Sequence, residues 1–399
     1  MLSVSSDLTR VLERIVLPHL GDTFPACSAC VLHRGAVVLE SAWGWIDPET
    51  RRIPVMPNTY FDLASLTKLF TATTFLRQVS AGHSAIDDRL ATVIPEFGIG
   101  GARPIDGGQD PHSKELLPID PAYAGQSVDP RRVTFRHLLT HTSGLSPWHD
   151  VYNAVDESPP PPPDHSDPIA RAVRRERTLA ALCAYPFVGQ PDGATVRYSD
   201  IGYMLLGEAV MRLTGHDTPR DTLDRGVRFN PRRDYDIPLD RIAPTEIDSV
   251  YRQRRCWGEV HDENAAGLGG LSGHAGLFGT ARAIAVFGER WRTGTVPGIT
   301  PDIHAEAVRE QVNDHDTRRG LGFALRARGE SMVGDYASDQ AYGHSGFTGT
   351  TLWIDPVQEW VIVLLTNRVY PGRDHDGAAG SITDFRRGAH DAIVKALPI

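Results

Sequence analysis

Apolar positions recur along this chain in two rhythms, one near 3.6 residues and one near two. At the start, Leu8, Val11, Leu12, Ile15 and Val16 alternate with Asp7, Arg10, Glu13 and Arg14, which predicts an amphipathic helix over residues 3–17. Residues 27–43 then read as two strands joined at Arg34-Gly35, a hairpin signal. A long helix follows over residues 65–81, with Leu66, Leu69, Phe70, Leu76 and Val79 apolar and Gly82 as its stop. Its only charges are Lys68 and Arg77. Residues 95–258 read as short helices and long loops, among them a helix over 201–213 closed by Gly215 and an extended surface loop at the proline run 159–163. Near the end, residues 343–355 and 359–367 predict a second hairpin around Asp355-Pro356, and residues 382–396 a closing helix. Strands at both termini with helices between them predict an α/β domain. Its sheet lobe would come from residues 1–60 and 259–399, and a helical lobe from 61–258 would be inserted between them.

Composition narrows the function classes. The 399 residues carry 41% hydrophobic and 23% charged side chains, ordinary values for a soluble globular protein that can bury a large core. A net charge of -9 argues against nucleic-acid binding, which needs a basic face. No run of about eighteen apolar residues predicts a membrane span, and the first twenty residues lack the apolar core of a signal peptide. The expectation is a cytoplasmic protein, or a periplasmic or secreted one after removal of a leader. Cys27 and Cys30 form a CxxC, but their odd spacing on a strand sends them to opposite faces, so they read as small buried residues.

Only three of the 41 basic residues are lysines, at 68, 114 and 395. The one at 68 stands three residues after Ser65, on the same helix face, where it can reach the serine hydroxyl. A serine hydroxyl needs such help to act as a nucleophile, and arginine could not supply it as a base. Ser65 opens its helix, where free N–H groups favour an oxyanion. Tyr198-Ser199-Asp200 precedes the helix over 201–213, placing a phenol on a loop at a helix entrance where it can relay a proton. His344-Ser345-Gly346 lies on a late strand, where the glycine permits close approach of a substrate backbone.

In this order and at these separations, SxxK, YxD and HxG resemble the serine β-lactamase and penicillin-binding-protein superfamily, in particular its class C branch and the family VIII esterases. Leu138-Leu139-Thr140-His141-Thr142-Ser143-Gly144-Leu145 and Gly343-His344-Ser345-Gly346-Phe347-Thr348-Gly349-Thr350 extend the likeness across most of the chain. The resemblance implies a β-lactamase/transpeptidase-like fold with the active site between sheet and helical lobe. It implies Ser65 as nucleophile, Lys68 as its base, Tyr198 as the proton-passing phenol and His344 in place of the third-motif lysine or histidine. The backbone N–H groups of Ser65 and Phe347 would form the oxyanion hole, with Asp200, Ser345 and Gly346 lining the substrate site.

Two departures bear on activity. Asp200 replaces the family's usual asparagine, and its charge beside Lys68 would favour the protonated lysine. His344 is expected to be only partly charged at neutral pH and to grip a substrate carboxylate weakly.

A further segment, Gly258-Glu259-Val260-His261-Asp262-Glu263-Asn264-Ala265 with Gly269-Gly270-Leu271-Ser272-Gly273-His274-Ala275-Gly276, is similar to segments of a peptidoglycan-related subgroup of the superfamily. His261 and Asp262 raise metal ligation or a triad. Adjacent positions diverge, however, and the expectation is a hydrogen-bonded loop lining the cleft. GxSxG elbows fail at Ser272 and Ser345, and no nucleotide fingerprint is complete.

The expected function is a cofactor-free, metal-free serine hydrolase that works through an acyl-enzyme. Its substrates would be small esters or D-amino-acid peptides, esters slightly ahead because no leader points to the cell wall, with weak or no β-lactam turnover. A true class C-like β-lactamase and a catalytically silent binding protein are the alternatives.

Overall fold

The computed structural model describes residues 2–398 except 112, 157, 217–225 and 376, and the side chains from residue 7 onward. Its central feature is an eight-stranded sheet. Its strands are β1 (Ala26–His33), β2 (Ala36–Gly44), β3 (Val312–Asp314), β4 (Thr317–Arg319), β5 (Ala324–Leu325), β6 (Tyr342–Ser345), β7 (Thr351–Asp355) and β8 (Trp360–Thr366). They are ordered β3-β4-β5-β6-β7-β8-β1-β2, with every neighbouring pair antiparallel. The two chain ends meet where β1 pairs with β8, as the terminal strands predicted.

The β1–β2 hairpin turns at Arg34 and Gly35, both with positive φ, of 51° and 81°. Two consecutive left-handed residues make the tight turn whose twist matches the strands. β1 and β8 are buried on both faces. In β8, Trp360, Ile362 and Leu364 pack with Leu8, Leu12 and Val16 of α1 (Leu2–Val16) and Phe385, Ala389 and Ile393 of the closing helix. Val361, Val363 and Leu365 pack into the larger core on the other side, with Phe287 and Trp291. Cys27 belongs to the first layer and Cys30 to the second, so the CxxC does divide between faces. Burial pushes the Cys30 thiol up to about 12 and Cys27 further, which leaves both as inert core residues.

The helices that shape the cleft are α2 (Thr67–Ser80), α3 (Arg171–Ala184), α4 (Asp200–Thr214), α5 (Ala281–Thr293) and α6 (Ile382–Ala396). Residues 67–76 of α2 are all buried. A helix covered on every side must satisfy its polar side chains internally. Thr73 and Thr74 do so by donating to the carbonyls of Leu69 and Phe70, at 2.6 and 2.9 Å. α4 ends at Gly215 in the left-handed conformation, where the sequence predicted its stop.

Two expectations change. Ser65 lies in a 3-10 turn, Ala64–Leu66, that feeds α2, and is not in the α-helix itself. Residues 343–355 are two strands, β6 and β7, because residues 346–350, with glycines at 346 and 349, make a hydrogen-bonded turn between them. The proline run is a surface loop as expected, with Pro162 exposed and only Pro160 buried, and the carbonyls of Pro160 and Pro161 accept from Arg254 and Arg233, each at 2.9 Å. Short strands Phe61–Asp62 and Val227–Phe229 flank Leu277–Gly279, joining the nucleophile turn to segments far along the chain. Among the described residues no helix is long and apolar enough to cross a membrane.

Candidate active site

The turn that carries Ser65 is held from below by Asp62. This fully buried carboxylate accepts from the Ala64 N–H at 2.8 Å and the His261 N–H at 2.6 Å. Burial pushes its pKa up to about 6, against the pull of those two donors. Ala64 adopts φ 45°, a left-handed conformation that disfavours a side chain with Cβ. Such strain survives only where neighbours over-determine it, and here they do. Thr348 Oγ1 donates to the Asp62 carbonyl at 2.7 Å and Thr350 Oγ1 to the Leu63 carbonyl at 3.0 Å.

Lys68 comes one turn later and is wholly buried. Its Nζ donates to Ser65 Oγ at 2.9 Å and to the His274 carbonyl at 3.2 Å, and meets Asp200 Oδ1 at 2.7 Å. Burial alone would lower the lysine's pKa, but Asp200 and then Tyr198 outweigh it and hold it above the ordinary value. Two donors of the ammonium are taken up by Ser65 Oγ and the His274 carbonyl, and Asp200 meets it as an ion pair. In this state Lys68 gives hydrogen bonds and has no lone pair to take a proton.

Tyr198 and Asp200 are fixed by Ser199 between them. As the N-cap of α4, Ser199 Oγ accepts from the Gly202 N–H at 3.0 Å and donates to the Ser146 carbonyl at 2.7 Å. Its own N–H donates to His141 Nδ1 at 3.0 Å. The His141 ring packs against Tyr198 and Tyr203, with centroids 4.4 and 5.0 Å away. The segment 138–145 is therefore the floor beneath Tyr198. Burial pulls the His141 pKa well below its ordinary value, so its ring is neutral.

His344 lies on β6 across the cleft, its ring 5.9 Å from that of Tyr198. Its Nδ1 is 2.7 Å from the Ser345 carbonyl, which assigns the proton to that nitrogen, while Nε2 is buried without a partner among the described residues. Burial, with Arg319 and Lys68 adding to it, drives its pKa down to about 3. The expectation of a partly charged histidine is thus corrected: His344 is neutral throughout the physiological range. Ser345 follows at the strand end, and Gly346 faces Leu63 and Thr350 so closely that a Cβ would stand 2.6 Å from the Leu63 carbonyl oxygen.

Phe347 is 41% exposed at the tip of the turn. Its ring stacks on His261 at 5.7 Å and lies under the Arg368 guanidinium at 4.4 Å.

His261 and Asp262 diverge, as their adjacency required. His261 is buried, and burial lowers its pKa to about 4. Asp262 caps the short helix Glu263–Gly267, accepting from the Ala265 N–H at 2.7 Å. Its Oδ1 is also 2.9 Å from His274 Nε2, and His274 Nδ1 is 2.8 Å from Ser272 Oγ. Asn264 ties the loop to the helical lobe, accepting from the Tyr152 N–H at 3.0 Å and donating to the His149 carbonyl at 2.8 Å. Among the described residues no three His, Cys, Asp or Glu side chains gather as a metal site would need.

Two groups here escaped the sequence reading. Asp62 left a faint signal, a lone acid within the apolar stretch Phe61-Asp62-Leu63-Ala64. Arg319 left none, being one arginine among many. Arg319 reaches from β4 toward the cleft, with its guanidinium carbon 5.6 Å from the Tyr198 ring. Its buried Nε has no hydrogen-bond partner, and among the described residues it forms no ion pair. The cleft thus holds an uncompensated guanidinium next to the neutral His344.

The family model described as Beta-lactamase matches residues 12–386. A protein of Escherichia coli strain K12 that carries the provisional name D-alanyl-D-alanine carboxypeptidase is 29% identical over 394 residues, covering 90% of this chain and 81% of its own. EstCE1, described as a hydrolase with promiscuous acyltransferase activity, superposes with TM-score 0.69 at 19% identity, covering 98% of this chain and 99% of its own. A penicillin-binding-protein homologue from Caulobacter crescentus gives TM-score 0.64 at 22% identity, covering 98% and 97%. These structural matches show a common fold.

Proposed function

The chain belongs to the beta-lactamase family, and from that premise we propose that it is a serine hydrolase of esters and D-amino-acid peptides that turns over β-lactams slowly or not at all. The observation that carries this reading is Ser65 Oγ held 2.9 Å from a buried lysine that is itself anchored by Asp200. Ser65 Oγ attacks the acyl carbonyl, forming the C–O bond of an acyl-enzyme while the bond to the leaving oxygen or nitrogen breaks. Lys68, kept as an ammonium, orients the hydroxyl and offsets charge. Tyr198, beside it, takes the serine proton on its oxygen as its own phenol proton passes to the leaving group. The N–H groups of Ser65 and Phe347 stabilise the oxyanion, an interaction worth about 3 kcal/mol per donor in comparable sites. Water then attacks the acyl group by the same route in reverse.

Arg319 favours substrates with an anionic group, since a guanidinium fork matches a carboxylate. A peptide ending in D-alanine has such a group next to its scissile bond, and the name of the Escherichia coli relative agrees with it. The neutral His344 speaks against a strict β-lactamase.

Intact-mass measurement after treatment with a fluorophosphonate, with Ser65→Ala as control, tests the nucleophile. A single adduct on the wild type and none on the variant is expected, and an unlabelled wild type sinks the enzyme reading in favour of a silent binding protein. Turnover of p-nitrophenyl butyrate, a D-alanyl-D-alanine peptide and a chromogenic cephalosporin then ranks the substrates. A clear lead for the cephalosporin overturns the assignment.

A further inference from the structure

The turn after β6 is backed by a buried cation. Arg386, on α6, is 6% exposed, and its Nη2 donates to the carbonyls of Gly346 at 2.7 Å and Thr350 at 3.0 Å. Among the described residues it has no ion-pair partner, and its Nε is buried without a hydrogen bond. Among the described residues, the charged and titratable groups around it offer no counter-ion. Arg368 is a second cation, His344 is neutral, and His390 Nδ1 sits 2.7 Å from the Arg386 backbone carbonyl. An unpaired cation held away from water is costly.

The turn does not need Arg386 for its closure. The Gly346 N–H donates to the Thr350 carbonyl at 2.8 Å and the Gly349 N–H to the Gly346 carbonyl at 3.1 Å. Thr348 and Thr350 staple the same turn to Asp62 and Leu63. What Arg386 adds is charge, directed at one peptide unit. The Gly346 carbonyl and the Phe347 N–H belong to the same planar amide. Hydrogen bonding a cation to the carbonyl draws electron density from the nitrogen and strengthens the N–H as a donor, the cooperative effect expected in a water-poor setting.

We propose that Arg386 is a positioning residue for acyl transfer, which acts by polarising the Gly346–Phe347 peptide so that the Phe347 N–H binds the oxyanion more strongly than a neutral turn would. The inference rests on the proposed role of the Phe347 N–H in the hydrolase reading. It requires no group to titrate and no atom of Arg386 to touch substrate.

The test compares the full-length wild type with Arg386→Met and Arg386→Lys. For p-nitrophenyl butyrate, kcat of R386M is expected to fall about tenfold to a hundredfold with KM within about twofold, a smaller loss than removal of a donor outright. R386K, which keeps the charge, is expected to recover most of kcat. Affinity for phenylboronic acid, which forms a tetrahedral adduct on the serine, is expected to fall in step with kcat. In the resting proteins labelled with 15N-phenylalanine, the Phe347 amide proton is expected to move upfield in R386M and less in R386K, a signature that loss of packing alone would not order by charge.

A kcat in R386M within about threefold of wild type overturns the proposal. So does equal impairment of both variants with an unmoved Phe347 amide. Should R386M fail to fold, R386K and Arg386→Gln carry the same comparison. If the wild type neither labels nor turns over, the hydrolase reading fails, while the amide shift still decides whether Arg386 polarises the peptide.

Discussion

Replacing Asp200 by asparagine restores the neutral amide usual in the family and strips Lys68 of its counter-ion. The Lys68 side chain is fully buried and that of Asp200 is 21% exposed, with 2.7 Å between the charged atoms. Removing one partner of a buried pair typically costs about 3–5 kcal/mol. At about 1.4 kcal/mol per pKa unit, the lysine should fall by about 2–4 units. The chain's three lysines make this directly visible by 13C NMR with label at the lysine Cε. In the wild type the Lys68 signal should not titrate below its ordinary value of 10.5, while in D200N its midpoint should enter the range of about 7–9. The sign for stability follows. A lysine raised on folding contributes fully below its unfolded pKa and loses that contribution only as pH rises through the folded one. D200N should therefore be less stable than wild type at pH 7, and the gap should narrow as pH rises through the variant's midpoint of about 7–9 and close above the unfolded lysine value of about 10.4. As the lysine becomes able to accept a proton, the kcat/KM profile of the variant should gain a limb at the NMR midpoint. An unchanged Lys68 midpoint in D200N would refute the reasoning, because it would mean that Asp200 does not hold the ammonium.

Three further outcomes are expected. His261 and His390 are pulled by burial to about 4 and His344 to about 3, so each contributes stability above the unfolded value of 6.5 that is lost as pH falls toward the folded one. Each is worth up to about 3 kcal/mol at pH 4. Acid unfolding should begin between pH 6 and 4, and His344→Gln should move it measurably to lower pH in a chemical-denaturation series. Arg319→Met should raise KM for a D-alanyl-D-alanine peptide about tenfold or more and leave that for p-nitrophenyl butyrate within about twofold; equal effects on both would remove Arg319 from substrate recognition. Gly346→Ala places a Cβ 2.6 Å from the Leu63 carbonyl oxygen and 3.3 Å from the Ala64 Cβ, so the oxyanion turn must back away from Ser65. A kcat loss of about a hundredfold with fluorophosphonate labelling slowed to match is expected, since one oxyanion donor is displaced.

The parts of this molecule that were legible in the sequence are those where one local rule decides. Arg34-Gly35 fixes a tight hairpin, Gly215 a helix end, and the apolar stretch of β8 a strand buried on both faces. The spacing of Ser65 and Lys68 survives a change from α-helix to 3-10 turn, because residues three apart share a face in either geometry. What stayed hidden depends on contacts across long separations. Arg319 is a cleft residue only because β4 lies two strands from β6, and Arg386 only because α6 packs behind the turn after β6. His344 is in the predicted place, but its charge state is a property of burial, which its neighbours in sequence do not reveal.

Taken together, the charges of the cleft separate binding from chemistry. Lys68 is compensated by Asp200, and the imidazoles of His141, His261 and His344 are kept neutral by burial. The uncompensated positive charge comes from Arg319 at the substrate end and Arg386 behind the oxyanion turn. Arginines hold their charge across the working range, whereas a third-motif histidine with an ordinary pKa would lose it near neutrality. The electrostatic grip on a substrate anion should then be constant between about pH 5 and 8. KM for a carboxylate-bearing peptide should accordingly stay flat over that interval while kcat carries the pH dependence. A KM rising steeply through pH 6.5 would instead return His344 to the role of a titrating anion binder.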